Sequence, residues 1–168
     1  PIAEMDEVIA WLGNNIPEDD GKVSQVHGDY RLDNLMFSSD NQRVIAVLDW
    51  ELSTLGHPYA DLAYQCMGMR LPSGNGPGAS SGLLGIDAQA LGIPGEQAYI
   101  DSYCQRMGID RLDNWNFYLA FSFFRLAAIA QGVAKRAADG NASSKAAGGI
   151  ATMVQPIAVN ALAIINGR

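Results

Sequence analysis

Ile2, Met5, Ile9 and Leu12 recur at the spacing of one helix face, with Val8 and Trp11 beside them, and predict an amphipathic helix over 2–14. Pro17 and the polar run 18–21 end it, and 23–26 then reads as a short extended piece leading into His27. The apolar runs 35–37 and 44–48 flank a turn-rich segment and predict a β-hairpin. Helical patterns return at 59–69, after Gly56-His57-Pro58, at 95–107, and at 114–138 up to the stop signal Gly140-Asn141. A last helix is expected over 144–165, with irregularities at Gly148-Gly149 and Pro156. Between these helices, 72–85 is rich in Gly, Ser and Pro and reads as a mobile loop that could help close a substrate pocket. No repeat is visible, and everything after Glu51 is expected to be helical. The pattern therefore predicts a mainly α fold with one small β-hairpin.

Composition narrows the class. The chain has 168 residues, 48% apolar and 17% charged, enough for one domain or one large lobe with a packed core. Net charge is −7 without a cluster of Lys and Arg, which argues against nucleic acid and against an anionic membrane surface as partners. Cys66 and Cys104 are isolated thiols and read as small buried hydrophobes. Residues 1–16 are acidic and amphipathic, unlike a signal peptide, and the apolar stretch 150–165 is short and interrupted for a membrane span. The expectation is a soluble, cytoplasmic protein.

Chemistry is concentrated between His27 and Glu51. The segment reads His27-Gly28-Asp29-Tyr30-Arg31-Leu32-Asp33-Asn34, then the hairpin, then Asp49-Trp50-Glu51. Four residues separate Asp29 from Asn34, the spacing of a kinase catalytic loop, in which the Asp accepts the substrate hydroxyl proton and the Asn binds magnesium. Antiparallel strands bring the residue before the first and the residue after the second to the same end, which sets Asn34 beside Asp49. Their oxygens suit Mg²⁺, whose other ligands would be phosphate oxygens and water. Asp29 is the candidate catalytic base, and Glu51 a candidate additional metal ligand. Arg31 could meet the transferring phosphate or form a surface ion pair. His27 is expected to fix the loop by hydrogen bonds, Asp33 to cap a turn, and Trp50 to pack.

These residues resemble the aminoglycoside phosphotransferase and choline kinase superfamily, small-molecule kinases with a protein-kinase-like fold. The segments 26–35 and 47–58, with Phe124-Arg125-Leu126-Ala127 and Gln131-Gly132-Val133, are similar to the branch of acyl-CoA-dehydrogenase-associated phosphotransferases. The resemblance implies ATP as co-substrate and Mg²⁺ as cofactor. Asp29 would be the catalytic Asp, Asn34 and Asp49 the metal ligands, and His27 a loop stabiliser. Asp61 would brace the catalytic loop through backbone amides. Residues 23–51 would then be the catalytic loop and metal hairpin, and the helices of 57–168 would build the pocket for a small-molecule hydroxyl acceptor. Arg125, Gln131 and Arg136 could face that pocket or pair at the surface.

Family members also carry an N-terminal lobe with an ATP-pairing Lys. Only Lys22, Lys135 and Lys145 occur here, none in a strand pattern before the loop. The chain is thus expected to be the C-terminal lobe alone of a kinase-like α+β fold, with little activity by itself and with an exposed inter-lobe face open to self-association. A non-catalytic, pseudokinase-like binding module is the alternative, and a magnesium-dependent hydrolase ranks last. Net charge points to a cationic or neutral acceptor, whereas the family branch points to one resembling a hydroxyacyl-CoA.

Overall fold

A computed structural model describes residues 2–40, 42–74, 82–140 and 150–167. Five α-helices and four short strands are named here among those residues: α1 (Ala3–Asn14), β1 (Ser24–Val26), β2 (Leu35–Phe37), β3 (Val44–Val47), β4 (Thr54–Gly56), α2 (Tyr59–Arg70), α3 (Glu96–Met107), α4 (Trp115–Ala138) and α5 (Val154–Ile165). Short 3-10 turns precede β2, β4 and α5.

The helices follow their apolar spacing. In α1 the buried positions are Met5, Val8 and Leu12, whereas Ile9 is 51% exposed. The face is therefore rotated from the one expected, because Val8 is the residue that meets the rest of the core. α4 is the axis of the molecule and packs against α1, α2 and α5. Its Leu119, Ala120, Phe123 and Ala127 are fully buried, with Cys66 of α2 and Ala158 and Ala161 of α5 in the same core. α4 is also long and apolar enough to cross a membrane by length and composition. The bidentate Arg70–Glu96 pair (2.6 and 2.9 Å) ties the end of α2 to the start of α3, and the Trp115 indole N–H reaches the same carboxylate at 3.4 Å.

The expected hairpin forms from β2 and β3, antiparallel, with Leu35 opposite Val47 and Met36 opposite Ala46. A bulge after Met36 sets Phe37 opposite Val44, and Leu48 falls just outside β3.

The expectation of helix throughout after Glu51 is corrected. β4 pairs antiparallel with β1, Ser24 opposite Gly56 and Val26 opposite Thr54. Three residues are too short a run to show a strand period, and only the distant partner makes this a strand. Pro156 follows a break, because the 3-10 turn over 151–153 interrupts the expected helix just before it. It stands in the first turn of α5, where its missing N–H is not needed. Residues 75–81 of the Gly-rich segment, residues 144–149 of the expected last helix and Asn141 of the stop signal lie outside the described residues. The ends of the Gly-rich segment are pinned: Pro72 bridges Leu84 in parallel, and the Leu83 N–H donates to the Gly68 carbonyl at 2.9 Å.

Candidate functional site

The loop after β1 turns sharply at Gly28, whose φ is +85°. A Cβ there would stand 2.6 Å from the carbonyl oxygen of Leu52, so only glycine fits. The loop is then held from several sides. The Asp61 carboxylate, in the first turn of α2, accepts the N–H groups of His27 (2.6 Å) and Gly28 (2.9 Å). Arg125 of α4 donates to the Gly28 carbonyl.

His27 is buried and bonded at both ring nitrogens. Its Nδ1 accepts the Asp29 N–H at 3.2 Å, so the ring proton belongs on Nε2, which lies 2.7 Å from the Leu48 carbonyl. One ring thus joins the start of the 27–34 loop to the end of the hairpin. Trp50 tilts against it with ring centroids 4.7 Å apart, while the indole N–H donates to Val47 O at 2.8 Å.

The hairpin sets the two candidate metal ligands at one end. The Leu48 N–H donates to the Asn34 carbonyl oxygen at 2.8 Å, one step beyond the Leu35–Val47 pair. Asn34 directs its side-chain NH₂ at Asp29, 2.9 Å from the backbone oxygen and 3.0 Å from Oδ2. This commits the amide's donors to the loop and leaves its side-chain oxygen as the atom that could meet a metal. Asp49 is exposed, in the left-handed conformation at φ +67°, which Asp tolerates better than most residues. Its carboxylate has no protein partner among the described residues. No trio of acidic, His or Cys side chains gathers into a metal site among them. Two protein oxygens, one amide and one carboxylate, fit Mg²⁺, which keeps water and phosphate oxygens as its other ligands.

The remaining predicted residues lie at the rim. Arg31 pairs with Asp33 at 2.7 Å, both well exposed, which is the surface-pair alternative. Glu51 sits exposed on the 3-10 turn after Asp49. A cavity of about 550 Å³ lined by Glu18, Asp20, His57, Tyr59 and Tyr118 includes none of the catalytic-loop or hairpin residues.

Sequence reasoning missed Tyr64. Burial first, and then the neighbouring Asp29 carboxylate, push its phenol up to about 12, with the nearby Arg125 opposing. The signal was present: Tyr64 follows Asp61 by three residues on one helix, hence on the same face.

Residues 1–94, which contain the whole constellation through Asp61 and Tyr64, match the profile of the phosphotransferase enzyme family. The chain belongs to that family. It is 51% identical over 146 residues to mouse acyl-CoA dehydrogenase family member 10, covering 87% of this chain and 13% of that protein. It is 46% identical over 162 residues to rat acyl-CoA dehydrogenase family member 11, covering 96% of this chain and 20% of that one. A crystal structure of a candidate aminoglycoside phosphotransferase from Ralstonia eutropha superposes with a TM-score of 0.89 at 47% identity, covering 99% of this chain and 50% of the other. The chain thus spans half or less of each of these relatives.

Proposed function

We propose that this phosphotransferase uses Mg-ATP to phosphorylate a hydroxyl of a small molecule, with Asp29 as base and Asn34 and Asp49 as metal ligands. The observation that carries this reading is the division of labour in Asn34. Its NH₂ holds the Asp29 carboxylate at 3.0 Å, which turns its side-chain oxygen, the only acceptor of that amide, to the metal at the end of the hairpin where Asp49 begins. Base and metal ligand are thereby locked in one geometry. Phosphoryl transfer asks mainly for such positioning and for charge stabilisation. The acceptor hydroxyl would give its proton to Asp29 as its oxygen bonds to the γ-phosphorus and the bond to the β-phosphate oxygen breaks. Bound Mg²⁺ would supply positive charge to the phosphates.

The names of the mouse and rat relatives favour a hydroxyacyl thioester as the acceptor. The exposed apolar residues Leu32, Ile45, Leu48, Leu52 and Leu55, with Ile45 58% and Leu55 76% exposed, would be covered by the other half of the kinase-like fold, since the solved relative is about twice this length. On that reading the chain alone would turn over little.

Calorimetric titration of Mg-ATP, compared with Asp49→Asn, tests the clamp. Asn keeps the left-handed backbone tolerable and removes only the charge. Magnesium-dependent binding that the variant loses supports the reading, and equal binding by the variant overturns it. In the full-length polypeptide Asp29→Asn should lose most turnover, whereas a non-catalytic module would have none to lose.

A further inference from the structure

Arg31, Arg70 and Arg111 each pair with a carboxylate. Arg125 instead projects from the middle of α4 and donates through Nη2 to the carbonyl oxygen of Gly28, 97 residues away in sequence. Its half-buried guanidinium lies over the Tyr64 ring of α2, 5.3 Å from the centroid, a contact that restrains a planar cation.

This bond completes a set. The Gly28 N–H donates to Asp61 Oδ1 at 2.9 Å and the Asp29 N–H to His27 Nδ1 at 3.2 Å, while the Asp29 carbonyl accepts the Asn34 side-chain N–H at 2.9 Å. With Arg125 on the Gly28 oxygen, every backbone polar group of residues 28 and 29 is bound by a side chain. His27 and Asn34 belong to the loop itself and Asp61 to α2, so Arg125 is the partner that α4 contributes.

We propose that Arg125 is a positioning residue that fixes the Gly28–Asp29 peptide plane, from which the candidate base follows, a role that rests on the phosphotransferase reading above. That plane is the loosest joint of the loop. Gly28 has no Cβ and stands at φ +85°, so the peptide after it turns over at low cost. Turning would pull the Asp29 N–H off His27 and leave the backbone of the base free to drift. Gly28 is buried, and a buried carbonyl needs a donor. Asp61 and His27 accept N–H groups only, so the oxygen of this plane depends on Arg125. Arg125 thus acts on Asp29 through the peptide between them.

The grip and its use are tested separately. In the chain itself, Arg125→Met keeps much of the side-chain length and removes the donors. Amide hydrogen exchange at Asp29 should then accelerate about tenfold relative to the amides of α1, because the plane is held at one end only. Arg125→Lys, which restores a cationic donor, should recover part of the protection. Exchange at Asp29 that moves only in step with α1 would overturn the grip.

In the full-length polypeptide, ADP release from Mg-ATP with water as acceptor gives the second reading. Arg125→Met should lower kcat about tenfold while the KM for Mg-ATP changes less than about twofold, because the base is misplaced and nucleotide binding is kept. Arg125→Lys should recover part of kcat. A merely structural Arg125 would lower the thermal midpoint and leave the kcat of the folded fraction intact, which would overturn the positioning role. If the wild type releases no ADP, the phosphotransferase reading falls and the role with it, while exchange at Asp29 still decides the grip.

Discussion

Replacing Asp61 by Asn tests how the candidate catalytic loop is held. The carboxylate accepts two backbone N–H groups, at 2.6 and 2.9 Å, across more than thirty residues of sequence. A hydrogen bond to a charged group contributes about 1.5–3 kcal/mol net, and a neutral one about 1. Asn keeps the shape but offers one acceptor oxygen. One bond becomes neutral, and the other N–H faces an NH₂ donor and goes unmet. The sum is about 3 kcal/mol, reduced to roughly 2–3 because Asp61 is only half-buried and water can reach the orphaned amide. For a chain of this length that corresponds to a fall in Tm of about 4–12 °C.

The loss is local, so amide hydrogen exchange is the sharper assay. Exchange at His27 and Gly28 should accelerate about 30-fold or more, since 1.36 kcal/mol is one decade. Helical content by circular dichroism should stay unchanged, because α2 packs through Tyr59, Leu62, Ala63, Cys66 and Met67 instead. A stability change under about 0.5 kcal/mol together with unchanged exchange at both amides would refute the bracing argument.

Gly28→Ala should be far worse than Gly92→Ala, although both glycines have positive φ, +85° and +72°. Ala at Gly92 meets nothing within 4 Å and bears only the left-handed penalty of about 1–2 kcal/mol, whereas at Gly28 it also drives a Cβ into Leu52 O. Urea midpoints of the two variants should differ clearly, and equal midpoints would show that the loop relaxes freely. Alkaline stability should be limited by Cys66, whose thiol burial pushes from 9.0 up to about 12. The unfolded thiol releases its proton first, so its contribution is complete below pH 9 and is lost as pH rises towards 12, by about 1.4 kcal/mol per pH unit. Tyr64 adds to the decline above pH 10, its folded phenol standing at about 12. Urea unfolding at pH 8, 9, 10 and 11 should show this slope, and Cys66→Ala should flatten it between pH 9 and 10. An unchanged slope in that variant would refute the assignment.

Much of the site was written locally. Asp29 and Asn34 are five positions apart, so one loop suffices to bring their side chains together, and a hairpin needs only two short apolar runs and a turn to bring Asn34 and Asp49 to one end. The helices were legible for the same reason, since a period of 3.6 lies within each segment. What failed depended on partners far along the chain. Thr54–Gly56 is a strand because β1 lies beside it, and Val8 rather than Ile9 faces inward because of where the other helices stand.

The sequence by itself determined the fold class, the hairpin and the identities of the base and metal-ligand candidates, since each follows from spacings of a few residues. Only the tertiary structure decided how the candidate catalytic loop is gripped. Asp61 is more than thirty residues from the amides it binds and Arg125 is 97 from the carbonyl it holds. A polar side chain finds such a partner only when packing of the apolar helix faces has brought it within hydrogen-bonding reach, and no local period encodes that meeting.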